Sequence, residues 1–440
     1  MLTRYITRYR GSWQGIPLLL AGLFSVYPAL SSQAQLSFEP VSMQAEPQTN
    51  STYRTGFHRW RAGAGQGFQD WATQGIRINS QGQLQLDPQG LVREQDPDPD
   101  LVQTLPGEPS SSGPQSGGFY TGGSYWVGAA TSPVVATGFD MVGAIASWNA
   151  RTPRGTWLEL LIRAKVQNRW TKWYHGGVWA SDPSTLGSHS VRGQRDEDGT
   201  MYTDLLVLED ERNGAEAFQI QLRLFTQDPG RSATVDQIAV ALSNVPVKPK
   251  HLQPGDPSRW GQVLEVPQCS QMVYPDGGEV WCSPTSLAMV LAYWQQDTGP
   301  CEPRVRSAVA GVYDWVYGGH GNWVFNVAHA AEQGFAGVVA RLESFAQAEE
   351  WIAAGVPVIF SFAWAEGDLQ GAPIPKSDGH LAVLVGFDAA GDPVVNDPAA
   401  KTDAEVRRTY PRAQLESLWL EHSGGTVYLI HPPDWPVPEL

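Results

Sequence analysis

The sequence predicts two domains: an N-terminal all-β, sandwich-like domain and a C-terminal α+β domain. Its 440 residues exceed what one hydrophobic core usually organises. Strand-like alternation dominates the first half, whereas helical spacing followed by short apolar runs characterises the second. A Pro-rich segment at residues 249–260 separates the two halves and is the expected linker. We therefore place the domains at residues 121–248 and 261–435.

The N-terminus has the pattern of an export signal. Three arginines precede an apolar run from Ile16 to Leu30, and small residues end at Ala34. The run falls short of the roughly 20 apolar residues that span a bilayer. We expect residues 1–34 to be a signal peptide that is removed. This predicts a secreted protein, extracellular or in the cell envelope, with no transmembrane segment in its mature form.

Residues 35–120 form a third region, rich in Gly, Pro and Gln. Within it, residues 95–118 combine an Asp-Pro repeat with a run of Ser and Gly. Such composition is typical of loops, so we expect a flexible loop there.

Two segments of the β domain alternate with period two. In Phe218–Leu224 the apolar residues alternate with Gln and Arg. In Thr156–Val166 five apolar residues share one parity: Leu158, Leu160, Ile162, Ala164 and Val166. Each segment predicts a strand with one buried face.

The same domain concentrates aromatic residues in a short stretch. They are Trp148, Trp157, Trp170, Trp173, Tyr174 and Trp179. We expect these rings to fill the core of the domain, as large aromatic side chains usually do. Exposed rings could instead stack on sugars, which would make the domain a binder of cell-wall glycan.

The second half contains helices first and strands later. Helical periodicity covers Ser286–Trp294 and Phe345–Ala354, and short apolar strands follow at Val356–Phe362, Leu381–Phe387 and Val427–Ile430. This order is typical of an α+β domain.

Charge and histidine spacing exclude some classes of function. The formal net charge of −15 disfavours nucleic acid as a partner, because a polyanion repels an acidic protein. His320, His329 and His422 lack the close spacing of metal ligands. We therefore expect neither a metal nor another cofactor.

Cys282 is the candidate nucleophile among three cysteines. Ser283 and Pro284 suit the start of a helix, which we expect immediately after Cys282. The partial positive charge of a helix N-terminus favours the thiolate. Cys269 and Cys301 could pair as a disulfide or remain buried thiols, and we favour thiols.

His380 and Asp397 are the candidate base and its partner. His380 begins an apolar strand in which packing gives no reason for a polar side chain, and Asp397 ends the next short strand. If the two strands form a hairpin, the carboxylate reaches the ring and stabilises imidazolium. Asn396 is the alternative partner.

Gln271 is the candidate donor to an oxyanion. A Gly-Gly turn could fold its segment back beside Cys282, where its side-chain amide would join the Cys282 backbone N–H. Gln268 is the alternative donor.

These residues occur in a recognisable set of motifs. They are Cys-Ser-Pro-Thr-Ser-Leu-Ala-Met from Cys282, Gly-Asn-Trp-Val-Phe-Asn from Gly321, Gly-His-Leu-Ala-Val from Gly379 and Asn-Asp-Pro-Ala-Ala from Asn396. In this combination, residues 262–432 resemble the double-glycine leader peptidase-like branch of the papain-like cysteine peptidases, also called peptidase C39-like. The N-terminal β-rich domain is similar to the partner domain of exported bacterial members.

The resemblance implies a papain-like fold for the C-terminal domain and a role for each candidate. Cys282 would be the nucleophile, His380 the base, Asp397 the residue that orients it and Gln271 the oxyanion donor, without metal or cofactor. The interval between Gln271 and Cys282 is longer than is usual for papain-like enzymes. No transporter segment is present, so the bacteriocin export function of well-known relatives is not carried over.

The expected function is that of a secreted cysteine peptidase or amidase, which hydrolyses peptide bonds of a peptide or protein substrate through a thioester. The alternative is a cell-wall or glycan-binding protein whose papain-like domain is inactive. The natural substrate and the oligomeric state are left open by the sequence.

Overall fold

Three antiparallel β-sheets organise the chain in the computed structural model, which describes residues 53–95, 124–210, 213–244 and 252–440. The predicted signal peptide, nearly all of the predicted loop 95–118 and the start of the predicted linker lie outside the described residues. The described residues from Tyr53 to Leu440 form one compact unit.

The N-terminal half consists of strands. In chain order they are β1 (Thr55–Arg61), β2 (Ala72–Gln74), β3 (Ile76–Ile78), β4 (Leu84–Leu86), β5 (Val92–Gln95), β6 (Ser124–Thr131), β7 (Val135–Met141), β8 (Gly143–Arg151), β9 (Thr156–Val166), β10 (Arg169–Trp170), β11 (Tyr174–Trp179), β12 (Gly199–Tyr202), β13 (Leu205–Leu208), β14 (Ala215–Thr226) and β15 (Thr234–Ser243).

These strands form two sheets. The first has the order β12-β13-β8-β15-β4-β3, with β1 also paired to β15. The second has the order β10-β9-β14-β6-β2, with β11 on β9, β5 on β6 and β7 on β14. The sheets meet where Trp60 of β1 lies against Phe218 of β14, with ring centroids 6.4 Å apart. The predicted β-rich character of this half is confirmed.

The two predicted strands, β9 and β14, are direct neighbours. Ile162 pairs with Ile220 and Leu160 with Leu222, so their apolar residues share one face. The opposite face is not open to solvent as predicted, because Glu159 is buried there and pairs with Arg223 at 2.9 Å.

The aromatic cluster of this half is mainly core. Four of its six rings are buried: Trp148, Trp157, Tyr174 and Trp179. Trp157 stacks on Phe225 with centroids 5.2 Å apart. The remaining two, Trp170 and Trp173, are partly buried, and both contact the guanidinium group of Arg163. Its central carbon lies 4.4 Å from the ring centroid of Trp170 and 4.5 Å from that of Trp173. The core interpretation is therefore confirmed for four rings.

The C-terminal half combines helices with a third sheet. In chain order its elements are α1 (Cys282–Gln295), α2 (Cys301–Gly311), α3 (Trp323–Glu332), β16 (Ala336–Arg341), α4 (Phe345–Ala353), β17 (Val358–Trp364), β18 (Ser377–Phe387), β19 (Pro393–Asn396), β20 (Arg407–Thr409), α5 (Arg412–Ser423) and β21 (Thr426–His431). The sheet order is β16-β21-β17-β18-β19-β20. None of the helices in the described part of the chain has both the length and the apolar character that a bilayer crossing requires.

The two halves share an extensive interface. Strand β8 of the first sheet lies against α3 and β16. The side chain of Asn149 on β8 bonds both the N–H and the C=O of Gly337, at 3.1 Å and 2.7 Å. Trp179 packs on Phe325 of α3, with centroids 5.3 Å apart.

The first described residues also bond to the far end of the chain. The Tyr53 hydroxyl donates to the C=O of Gly424 at 2.6 Å, and the Thr55 N–H donates to the Glu343 carboxylate at 3.0 Å. Strand β1 then continues along β15.

Candidate active site

Cys282 is the first residue of α1. The expectation that the helix begins after Cys282, with Ser283 as its N-cap, is wrong. The helix already begins there because the C=O of Trp281 accepts the N–H of Thr285 at 3.0 Å. The Ser283 hydroxyl instead contacts that of Tyr428, 3.0 Å away. The half-buried Cys282 still lies in the first turn, where the helix terminus favours a thiolate.

The Cys282 thiol and the His380 ring interact, and each shifts the pKa of the other. Nε2 of His380 faces Oδ1 of Asp397 at 2.8 Å, so Nδ1 is the ring nitrogen that remains for the sulfur. The three predicted residues therefore form one chain of contacts in the order expected for a nucleophile, a base and a carboxylate.

The environment favours charge separation between Cys282 and His380. Burial by itself raises the pKa of the Cys282 thiol, but the hydrogen bond and charge of His380 and two backbone N–H groups lower it below its ordinary value. Burial lowers the pKa of His380, and this is outweighed by Asp397 and Cys282, which raise it to about 10. These two shifts favour transfer of the proton from the thiol to the ring, which gives a thiolate–imidazolium pair.

Strand pairing places His380 and Asp397 together. His380 lies near the start of β18, and Asp397 follows directly after β19, its antiparallel neighbour. The predicted hairpin relation is confirmed. The ring of His380 is flanked by Phe362 and Trp364 of β17, with centroids 5.4 Å and 5.5 Å away, which restricts its orientation.

The Asp397 carboxylate is fully buried and accepts three hydrogen bonds. Oδ1 accepts from His380 and, at 2.9 Å, from the backbone N–H of Ala399, while Oδ2 accepts from the Tyr410 hydroxyl at 2.7 Å. Burial raises the pKa of Asp397, but His380, Tyr410 and Ala399 together hold it below its ordinary value. The carboxylate is therefore kept as an anion.

Tyr410 is a site residue that the sequence did not indicate. It is fully buried and lies 13 positions beyond Asp397, after β20, without a motif of its own. Its presence beside the carboxylate follows from the pairing of β19 with β20.

Asn396, the alternative partner, points elsewhere. Its amide donates to the C=O groups of Val266 and Pro267, and its oxygen accepts from Arg407 at 3.1 Å. The structure thus places Asp397, and not Asn396, against His380.

Gln271 is buried and held between the segments that carry Cys282 and Asp397. Its side-chain amide donates to the C=O of Gly278 at 2.7 Å, and its backbone N–H donates to the C=O of Pro398 at 2.8 Å. The amide has two side-chain N–H groups, and the C=O of Gly278 accepts one of them. The competitor Gln268 is engaged elsewhere, since its Oε1 accepts the backbone N–H of Arg407.

Cys269 and Cys301 form a disulfide, which corrects the expectation of free thiols. They lie 32 positions apart with their Cα atoms at 5.6 Å; Cys269 precedes α1 and its backbone N–H contacts the sulfur of Met289 on that helix. The bridge ties the segment just before Gln271 to the first residue of α2. Cys282 is the remaining free thiol.

The loop between α2 and α3, residues 313–322, borders Cys282 on one side, and we call it the wall loop. The ring of His320 contacts Trp281, the residue before Cys282, with centroids 6.1 Å apart. Burial lowers the pKa of His320 to about 4, so this ring is neutral. Burial and the negative charge of Cys282 raise the pKa of Tyr317 to about 12.

The described residues contain no group of three or more His, Cys, Asp or Glu side chains placed to hold a metal ion. His329 and His422, considered above as ligands, are both buried.

Comparison with known proteins gives two family matches. Residues 55–243 match the family described as peptidase C39 N-terminal domain, and residues 263–427 match the family described as Peptidase_C39 like. No curated protein compared with the chain matches it.

A similar solved structure is named as a C39-like peptidase from Bacillus anthracis. It shares 17% sequence identity and covers 39% of this chain and 98% of its own, with a TM-score of 0.28. That score is too low to support an argument about the fold. The two family matches span adjoining parts of the chain and most of its described residues. The resemblance to C39-like peptidases that the sequence indicated is therefore confirmed: one part of the chain matches the N-terminal domain of such peptidases and the next part matches their C39-like domain.

Proposed function

We propose that the protein is a cysteine peptidase of papain-like design that cleaves peptide bonds through a thioester. The observation that carries this proposal is the continuous contact from the Cys282 thiol through the His380 ring to the Asp397 carboxylate. The family matches support a peptidase independently of that geometry.

The proposed reaction begins with attack of the Cys282 thiolate on the carbonyl carbon of a peptide bond. The oxyanion accepts hydrogen bonds from the Cys282 backbone N–H, which as a first-turn N–H has no intrahelical acceptor, and from the second side-chain N–H of Gln271. His380 gives its proton to the leaving amine as the C–N bond breaks, and a thioester forms.

Hydrolysis of the thioester completes the cycle. Neutral His380 takes a proton from water, the hydroxide oxygen attacks the thioester carbon, and the C–S bond breaks to release a carboxylic acid and the thiolate. Asp397 stabilises the imidazolium in both steps and stays ionised. We also propose that the protein is secreted, on the strength of the N-terminal sequence pattern.

The alternative, a glycan-binding protein with an inactive peptidase domain, has less support. It needs exposed rings for stacking on sugars, and four of the six clustered rings are buried. It also gives no reason for a buried, charged His380–Asp397 pair next to a reachable thiol.

The test is hydrolysis of casein by the wild type, by Cys282→Ala and by His380→Ala. His431→Ala is the matched control, because His431 is a largely buried histidine at the end of β21 outside the contact chain. We expect both site variants to lose hydrolysis and the control to retain it. Retention of hydrolysis by Cys282→Ala would refute the proposal.

A further inference from the structure

The wall loop is bonded along its length to the N-terminal half of the chain. The Asp314 carboxylate accepts the backbone N–H of Ser190 at 3.0 Å, and the Trp315 N–H donates to the C=O of Ser188 at 3.0 Å. The side chain of Arg192 donates to the C=O of Val316. Three successive residues of the loop are thus held by one segment of the other half, residues 188–192.

A second contact holds the end of the wall loop, where α3 begins. Asp204 lies at the tip of a hairpin, since Tyr202 pairs with Leu205 and only two residues connect β12 to β13. Its carboxylate accepts the backbone N–H groups of Trp323 and Val324, at 2.5 Å and 3.3 Å. These N–H groups in the first turn of a helix have no intrahelical acceptor, and a carboxylate there also interacts favourably with the helix dipole.

Asp204 is almost completely inaccessible to water, with 4% of its surface exposed. A buried carboxylate is costly unless it is hydrogen-bonded, and here the bonds come from the helix that ends the wall loop. The N-terminal half therefore places a polar group inside the C-terminal half, close to the loop that carries Tyr317 and His320. A separate binding module would not require such a group.

We propose that the N-terminal domain positions the substrate cleft: through Asp204 and residues 188–192 it holds the wall loop at a set distance from Cys282. Asp204 acts here as a positioning residue and not as a catalytic one, since it bonds to α3 and not to Cys282 or His380. The inference rests on the proposed peptidase function, because the wall loop then forms one side of the site that binds the peptide.

Release of the wall loop has a specific expected effect. The contacts among Cys282, His380 and Asp397 do not involve the loop, so the intrinsic reactivity of the thiol is expected to persist. Binding of the peptide, which depends on the shape of the cleft, is expected to weaken. Misplacement by about 1 Å can cost up to about 100-fold in rate, and we expect about a tenfold rise in KM with little change in kcat.

The experiment compares Asp204→Ala with Asn149→Ala in the full chain. Asn149 also makes two side-chain hydrogen bonds across the interface, but to Gly337, away from the wall loop. We expect Asp204→Ala to raise KM for a peptide substrate about tenfold and Asn149→Ala to change it less than twofold. Equal effects of both variants, or no effect of Asp204→Ala, would overturn the inference.

A second readout does not depend on hydrolysis. It is the ratio of the rates at which Cys282 reacts with fluorescein maleimide, a bulky reagent, and with iodoacetamide, a small one. We expect Asp204→Ala to raise this ratio several-fold as the wall loop loosens, and Asn149→Ala to leave it unchanged. If the wild type cleaves no peptide, the proposed function fails, while this ratio still decides the role of Asp204.

Two further variants apply if Asp204→Ala does not fold. Asp204→Asn keeps an acceptor oxygen but cannot ionise, and Arg192→Ala removes the bond to the C=O of Val316. Each is expected to shift the reagent ratio in the same direction by a smaller factor. An unchanged ratio in a folded Arg192→Ala and a folded Asp204→Asn would also overturn the inference.

Discussion

Replacement of Tyr410 by Phe removes one of the three hydrogen bonds to the Asp397 carboxylate. The lost bond is 2.7 Å long, and both residues are fully buried, so no water is at hand to replace the hydroxyl. A hydrogen bond to a charged group contributes about 1.5–3 kcal/mol to the free energy of unfolding. We expect Tyr410→Phe to lower that free energy by this amount near neutral pH.

The matched control is Tyr293→Phe. The Tyr293 hydroxyl donates to the C=O of Gly355 at 3.1 Å, which is a neutral bond at a partly buried position. Its loss is expected to cost about 0.5–1.5 kcal/mol. Urea unfolding of both variants measures the difference, which should be about 1 kcal/mol or more.

The loss of stability caused by Tyr410→Phe should depend on pH. The pKa of Asp397 is held below its ordinary value. The ionised carboxylate therefore stabilises the fold at any pH above the ordinary pKa, and this stability is lost as the pH falls through the lowered pKa. The difference in free energy of unfolding between the wild type and Tyr410→Phe should therefore decrease in acid, where the carboxylate becomes protonated. The gap for Tyr293→Phe should not change in this way.

Tyr410→Phe should also affect catalysis through His380. A less well-held carboxylate stabilises imidazolium less, so kcat should fall while KM stays close to that of the wild type. Two results would refute the reasoning: equal losses of stability in Tyr410→Phe and Tyr293→Phe, or a gap for Tyr410→Phe that is independent of pH.

Four other predictions concern the same domain pair. Replacing both Cys269 and Cys301 by Ser should lower the free energy of unfolding by about 3–4 kcal/mol for a separation of 32 residues, and a loss under about 1 kcal/mol would contradict this. The rate of Cys282 alkylation should approach its maximum well below the usual thiol pKa of about 8.5, and a rise only near that value would count against the ion pair. Protonated His380 should contribute its full stabilisation of the fold below pH 6.5. This contribution should decline as the pH rises toward about 10, which thermal melting at a series of pH values measures. Trp157→Ala should cost about 3–5 kcal/mol in a denaturant titration, since the ring is fully buried; a cost under about 1 kcal/mol would indicate a peripheral ring.

The parts of the site that the sequence predicted are those built from local pattern. His380 lies on β18 and Asp397, 17 positions later, directly follows the neighbouring β19; period-two alternation with a turn between the two strands is enough to suggest a hairpin. Cys282 was recognisable because the helix that follows it has a clear apolar spacing, although its first residue was misplaced by the attractive cap at Ser283.

The parts that the sequence did not predict come from contacts that no local pattern marks. Tyr410 reaches Asp397 across a strand pair, and Asp204 reaches α3 from a position 119 residues earlier. Neither residue sits in a pattern that distinguishes it from an ordinary surface Tyr or Asp. No local pattern indicates the disulfide either, since Cys269 precedes the first helix and meets Cys301, 32 positions later, only in the folded chain.

The bonds made by Tyr53 and Thr55 have a consequence for the order in which the protein assembles. Their partners, Gly424 and Glu343, lie in the last quarter of the chain. Strand β1 itself pairs with β15, which is synthesised much later than β1. Contacts of such long sequence separation form late, because loop-closure entropy must be overcome first. We expect the N-terminal segment to dock only after the C-terminal sheet has formed. A chain whose last quarter is still being synthesised would then lack these two contacts of its N-terminal segment.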